Sequence, residues 1–335
     1  MKYRKVGKSG LRISEISLGS WLTYGGSVER KQAKKCLKTA LENGINFIDS
    51  AEAYAKGAAE ELIGEFFTED TYNRHEYVLS SKVFWPFNDY DVNRWGLGRK
   101  NIRNAINGTL ERLHMDYIDI YFMHRYDYTT PLKETMMILD DLIHEGKIHY
   151  WGTSVWTAAQ LERANAIAKE YGLHKPIVEQ PMYNMFFRHI ELEIMPVAIT
   201  HGMGFTVWSP LGQGLLTGKY NDGTIPKGSR GENMESIQKF LKPKNIEKLQ
   251  KLTEIATKNH LTLSQLALAW ILRHPEISCA ITGATTPQHI LENVIASDVN
   301  LEPDIWKTVD TILDNEPQWP RTYEPNRYFT DKMRY

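Results

Sequence analysis

Disulfides are the first thing this chain cannot be built on: 335 residues contain two cysteines, Cys36 and Cys279, which form no disulfide framework and lack metal-ligand spacing. Cys36 falls in a helix-like segment and Cys279 in an apolar strand-like one, so both are expected as small buried hydrophobes. An excess of one charge is also missing. Lys and Arg number 40 against 41 Asp and Glu, a formal charge of -1, which provides no global field to attract nucleic acid or an anionic membrane. The start, Met1-Lys2-Tyr3-Arg4, has no apolar signal core, and no later window approaches the roughly 18 apolar residues of a spanning helix. The expectation is a cytoplasmic protein with a small-molecule partner, no nucleic acid, no membrane insertion and no metal.

Two common nucleotide signatures fail as well. No Gly-x-Gly-x-x-Gly follows the first strand-like run, so the usual dinucleotide fold is unsupported. In Gly214-Leu215-Leu216-Thr217-Gly218-Lys219, a phosphate loop would need Gly in place of Gln213 and Ser or Thr in place of Tyr220. Asn107-Gly108-Thr109 matches a glycosylation acceptor, but it lies inside a helical pattern and is discounted. There is no repeat period and no low-complexity segment.

What is present is a repeated alternation. With 42% hydrophobic residues the chain can bury a large core, and barrels commonly exceed the length prior for one domain, so 1–335 reads as a single domain. Tyr3–Val6 and Leu11–Ile13 flank the turn-rich Gly7-Lys8-Ser9-Gly10 and predict a hairpin that plugs a barrel floor. Eight pairs follow. The predicted strands are Ile16–Leu18, Ile45–Asp49, Tyr77–Lys82, Tyr117–His124, Ile148–Ser154, Ile177–Gln180, Phe205–Ser209 and Cys279–Thr282. Helical spacing fills Arg30–Asn43, Ala58–Phe67, Arg99–Leu113, Leu132–Glu145, Ala158–Tyr171, Ile190–His201 and Pro287–Ala296, and a helix-rich region runs from Asn245 to Arg273. Short apolar runs without clean alternation predict strands buried on both faces, hence an α/β fold, a closed (β/α)8 TIM barrel, with an open doubly wound sheet as the competing architecture. The Gly-rich, polar stretch from Leu211 to Pro243 predicts a functional loop after the seventh barrel strand.

Asp49-Ser50-Ala51-Glu52-Ala53-Tyr54 organises the rest. Asp49, Lys82 and His124 stand at corresponding ends of three successive strands, and in a parallel barrel those ends share the catalytic rim. A phenol has an ordinary pKa of about 10, so Tyr54 needs the Lys82 ammonium to lower it. Asp49 would pair with Lys82, offsetting the cost of a charge in a partly dry pocket, and His124 would hydrogen-bond a substrate oxygen.

This set, with Tyr3 to Arg12, Trp151-Gly152-Thr153-Ser154, Trp208-Ser209-Pro210-Leu211 and Glu292-Asn293, resembles the aldo-keto reductase superfamily, most closely the branch containing the voltage-gated potassium channel beta subunits. The resemblance implies that Asp49, Tyr54, Lys82 and His124 are the catalytic tetrad and that NADPH is the cofactor. Ser154 and Gln180 would then bond the nicotinamide carboxamide, with Trp208 against the ring and Asp49 and the Gly19-Ser20-Trp21 loop facing it. Ser209, Pro210, Leu211, Gly214 and Lys219 would wrap the pyrophosphate. Arg230 and Thr285, on the loops after the seventh and eighth barrel strands, would reach the 2'-phosphate, and Gly283, His289, Glu292 and Asn293 complete that side. Trp21, Tyr54, Trp85 and Phe87 would line a pocket for small aldehydes or ketones. The branch also implies a homo-oligomer, a tetramer or larger, and the segment 316–335 reads as a tail on the barrel rim.

Two positions depart from the branch: Val155 stands in place of an arginine, and His289 in place of a glutamine there or an arginine in many reductases. His124 departs toward the enzymes, since channel beta subunits carry asparagine at that position. The alternative function is a redox-sensing, channel-subunit-like NADPH-binding protein with little turnover; a Schiff-base aldolase using Lys82 is disfavoured because Asp and Tyr partners suit a protonated lysine. Taken singly, Trp208 reads as core, Lys82 as a solvated strand end, Glu292 as a helix surface pair and Lys219 as a loop charge. Glu60-Glu61 and His144 with Glu145 read as exposed helix.

Overall fold

A computed structural model describes residues 1–70, 72–86, 91–315 and 317. Phe87 and, apart from Pro317, the tail 316–335 lie outside the described residues. The hairpin strands β1 (Tyr3–Lys5) and β2 (Arg12–Ser14) pair antiparallel, Tyr3 opposite Ser14. Eight parallel strands then close a barrel: β3 (Ile16–Gly19), β4 (Phe47–Asp49), β5 (Val78–Val83), β6 (Ile118–Met123), β7 (Ile148–Thr153), β8 (Val178–Glu179), β9 (Gly204–Val207) and β10 (Ile277–Thr282). β10 closes against β3 with Ala280 opposite Ile16. This is the expected (β/α)8 barrel.

Period-two alternation sets what faces the barrel axis. Phe47, Val78, Ile120, Phe122, Val178 and Cys279 form one apolar cluster inside, joined from below by Val6 and Ile13 of the hairpin, which therefore plugs the floor as expected. Gly7 permits that docking: at φ +55° its added Cβ would sit 2.3 Å from the Gly202 carbonyl oxygen. Gly152 makes room for the interior ring of Phe122, which a Cβ would approach to 2.7 Å. Two residues further along β4, β5, β6 and β8, the same inward rows turn polar, and that is where the site forms.

The outer helices α1 (Arg30–Glu42), α2 (Ala58–Glu69), α3 (Arg99–Leu113), α4 (Leu132–His144) and α5 (Ala158–Tyr171) follow their predicted spans within a few residues. In α1 the buried set is Ala33, Cys36, Leu37 and Ala40, the stripe of a one-sided helix. A capping box of Thr157 and Gln160 starts α5, and Gly172 at φ +67° ends it.

Downstream the boundaries move for local reasons. The predicted helix Ile190–His201 divides into a 3-10 turn, His189–Glu191, and α6 (Ile194–Thr200), because Pro196 is tolerated only in a first turn. The rim loop after β9 contains α7 (Glu235–Phe240). Asn245–Arg273 resolves into α8 (Pro243–Lys258) and α9 (Leu263–Leu272), separated where His260 takes φ +58° and Thr262 caps the next helix through Gln265. After α10 (Pro287–Val294) comes α11 (Pro303–Leu313), which the sequence reading did not include; its Asp310 binds Arg273 and the Trp270 indole. Cys36 and Cys279 are free and buried. No helix among the described residues is long and apolar enough to cross a membrane.

The pair Glu60-Glu61 is corrected in part. Glu60 is fully buried, accepting from Ser81 Oγ and from Arg112 Nε at 2.7 Å. Glu60 lies on the face of α2 that meets β5, and Ser81 points outward from β5, so the carboxylate seals helix to strand.

Candidate active site

Asp49, at the end of β4, lies in register with Ser80 of β5. Its Oδ2 accepts from Lys82 Nζ at 2.7 Å; its Oδ1 accepts from Ser80 Oγ at 2.7 Å and Gln180 Nε2 at 3.0 Å. Lys82 also donates to the Ser50 carbonyl at 2.6 Å. Taken alone Lys82 reads as a solvated strand end, but it is fully buried. Burial pulls its pKa down, yet Asp49 and Tyr54 outweigh that and hold the ammonium above its ordinary value.

The Lys82 ammonium lies 4.7 Å from the centre of the half-buried Tyr54 ring, and the Tyr54 ring meets the His124 ring edge-on at 5.9 Å. The tetrad therefore converges. One expectation is corrected: burial raises the Tyr54 phenol above its ordinary value, with Lys82 pulling the other way but not far enough to lower it. Burial, reinforced by Arg125 and Lys82, keeps the His124 imidazole far below its usual range and hence neutral. Its Nδ1 is buried with no hydrogen-bond partner. A neutral imidazole and a protonated phenol thus stand side by side, each able to donate a hydrogen bond.

Ser154, just past β7, donates to the Gln180 carbonyl at 2.9 Å, which joins both to Asp49. Gly19 and Ser20 close the opposite side, where Ser20 Oγ contacts Ser50 Oγ at 3.0 Å; Trp21 is exposed beside them. Trp85 packs edge-on to Trp95 at 5.5 Å and lies 6.4 Å from His124.

The stretch after β9 carries the half-buried Trp208, then Ser209 at φ +51°, buried Pro210, Leu211, Gly212 at +56°, Gln213 at +59° and Gly214 at +109°. Lys219 folds back so that its ammonium would meet a Cβ on Gly214 at 3.0 Å. Arg230 is half-buried on the same loop. After β10, exposed Gly283 leads to Thr285, whose Oγ1 lies 3.3 Å from His289 Nδ1, and α10 starts without a side-chain cap on its first amides. Glu292 receives Gln288 Nε2 at 3.1 Å, the surface pair, while Asn293 is buried.

A model of the aldo/keto reductase family matches residues 15–314. The chain belongs to that family. Among its relatives, a probable voltage-gated potassium channel subunit beta of Arabidopsis thaliana is 42% identical over 329 residues, covering 96% of this chain and all of the relative. A probable subunit of the same name from Oryza sativa subsp. japonica is 41% identical over 96% of this chain and all of its own length. A putative one from Schizosaccharomyces pombe is 41% identical over 94% of each.

In this member of the family, several residues around the tetrad escaped the sequence reading. Ser80 had a signal: it stands two residues before Lys82 and so shares its inward face. Glu52 is buried, and its carboxyl is pushed up to about 8 by burial, with Glu60 adding to the rise. Glu179 is buried too; burial raises it to about 7, while bonds from Thr153 Oγ1 and the Val155 amide oppose the rise. It holds the turn after Ser154 in which Val155 takes φ +60°. Arg125 contacts the His124 carbonyl and lies 5.9 Å from the Trp85 ring.

Backbone strain maps the same rim. Among the described residues, the positive-φ positions other than glycine are Leu22, Ala55, Lys56, Val155, Ser209 and Gln213 on the carboxyl-end loops, and His114, His260 and Asp314 at helix ends. Each rim member lies within a few residues of a predicted site residue, and such conformations are costly for residues other than glycine.

Proposed function

We propose that this aldo/keto reductase reduces small aldehydes or ketones with NADPH, Tyr54 giving the proton to the carbonyl oxygen. The observation that carries this reading is the convergence of Asp49, Tyr54, Lys82 and His124 at the ends of adjacent strands. Bound NADPH supplies the hydride. A phenol kept protonated by burial is a loaded donor at neutral pH, and the adjacent Lys82 stabilises the phenolate left behind. Asp49 keeps Lys82 charged and in place. The neutral His124 orients the carbonyl oxygen by hydrogen bond, so two donors aim at the charge that develops there.

The residues present suit a dinucleotide. Ser154, Gln180 and Asp49 offer a polar wall for an amide, with Trp208 and the Gly19-Ser20-Trp21 loop beside it. The tight loop from Ser209 to Gly214, left-handed at Ser209, Gly212, Gln213 and Gly214, carries Lys219 folded against it, a cation that suits a pyrophosphate. The uncapped start of α10, with Thr285, His289 and Arg230, suits a further phosphate, and this favours NADPH over NADH. Glu292 and Asn293 would hold the base. Trp21 and Trp85 would bound the substrate.

The relatives' names favour one second reading, a regulatory subunit that binds NADPH with little turnover. One experiment separates the two: NADPH consumption across a panel of aldehydes and ketones, beside direct titration of NADPH binding. Turnover that disappears in Tyr54→Phe supports the reductase; tight binding with no turnover on any carbonyl supports the regulatory reading.

A further inference from the structure

The barrel face opposite the tetrad gathers a different set of side chains. Asp140 and His144 lie one turn apart near the end of α4, and His174 lies in the connection between α5 and β8. Asp140 Oδ1 accepts from the His174 main-chain amide at 2.8 Å and lies 2.7 Å from His174 Nδ1. The second oxygen, Oδ2, lies 3.3 Å from His144 Nδ1. The two imidazole centres are 5.4 Å apart, and one ligand atom from each residue falls within 4.8 Å of the others.

We propose that Asp140, His144 and His174 bind a divalent first-row transition metal, of which zinc is the representative. Two imidazoles and one carboxylate match the ligand preference of zinc, nickel and copper, whereas calcium and magnesium require a fuller set of oxygens. The His174 amide holds the carboxylate before any metal arrives. Side-chain exposures of 68% for His144 and 51% for His174, against 15% for Asp140, leave the outer coordination positions open to water. His144 Nδ1 also lies 2.9 Å from the Asp140 main-chain carbonyl, a contact that its ring gives up when it turns to a metal.

Such a site clamps α4 to the α5–β8 connection. His174 also lines a cavity of about 710 Å3 at the barrel base, with His149, Tyr150, Lys175 and the hairpin's Leu11. Occupancy therefore stiffens a wall of that cavity, far from the reductive chemistry. The bare alternative is a carboxylate shared by two histidines, a surface contact that binds no metal.

Titration of the untagged full-length protein with Co2+, followed by visible absorption, and with Zn2+ by dye competition tests the proposal. One equivalent should bind, with affinity reduced tenfold or more in His144→Ala and again in His174→Ala. Zn2+ should raise the melting temperature of the wild type and not of the double variant, whose metal-free melting temperature reports that it folds. Saturable binding of equal strength in the double variant, or no saturable binding to the wild type, overturns the proposal. Carbonyl reduction should be unchanged in all three variants, so this test stands apart from that of the reductase reading.

Discussion

At the scale of single residues, the tetrad is a set of opposed electrostatic demands. Tyr54→Phe should reduce turnover on the order of 100-fold or more, as for loss of a general acid, with NADPH affinity nearly unchanged; near-normal rates would move the proton donor elsewhere. Lys82→Met should abolish turnover and also destabilise the fold, by about 3 to 5 kcal/mol, because Asp49 then remains as a buried charge without its ammonium. Denaturant melts of the two variants compare the effects: Tyr54→Phe should sit close to wild type. His124 stays neutral in the folded protein, so the rate should show no acidic limb near 6.5. A limb there that vanishes in His124→Asn would contradict the burial argument.

Elements are joined by buried carboxylates, of which the sequence reading places Glu60 at the surface. Glu60 ties α2 to β5 and α3, and Glu52, on the tetrad loop itself, feels its charge. Glu52 rises from the ordinary carboxyl value of 4.5 to about 8 in the folded chain. Between those limits the folded state keeps a proton that the unfolded chain has released, so stability falls as pH rises. Glu179, at about 7, has the same sign. His124, held well below 6.5, His189, lowered to about 4 by burial, and His274, also lowered, have the opposite sign, which fades as the unfolded imidazoles lose their protons above 6.5. From pH 7 to 8 the carboxyls therefore dominate. Melting temperature should decline across that range, and Glu52→Gln should flatten the decline; an identical slope in that variant would remove Glu52 as its source.

For the molecule as a whole, the floor and the rim answer to different forces. Gly7→Ala forces a Cβ against the Gly202 carbonyl at a positive φ, which should cost at least about 2 kcal/mol and loosen the plug; thermal melts check this, and an unchanged melting temperature would show that the hairpin is not seated. On the rim, one charge-assisted contact contributes roughly 1.5 to 3 kcal/mol, so NADPH should bind more than about tenfold tighter than NADH. Arg230→Ala should shrink that ratio without weakening NADH. His289→Ala should likewise shrink it. Fluorescence titrations of both cofactors decide each part: equal affinities would overturn the NADPH assignment, and an unchanged ratio in His289→Ala would take His289 out of the site.

The barrel and its polar rim were legible in the chain itself, because both depend on short-range rules. Eight apolar runs separated by helical spacing leave little choice of architecture, and period two places Asp49, Lys82, His124 and Gln180 on inward rows once the strands are parallel. A local rule also explains a smaller error: Pro196 breaks a helix that a hydrophobic pattern carries through from Ile190 to His201. Only the tertiary structure could decide the rest. Glu60 looks like a surface residue until Ser81 and Arg112, distant in sequence, arrive beside it. The Tyr54 phenol looks lowered by Lys82 until the surrounding chain removes its water, since desolvation depends on every neighbour and no spacing encodes it. Asp140, His144 and His174 meet for a similar reason: helix periodicity supplies the first two, but the third comes from a connection that the closed barrel alone brings alongside.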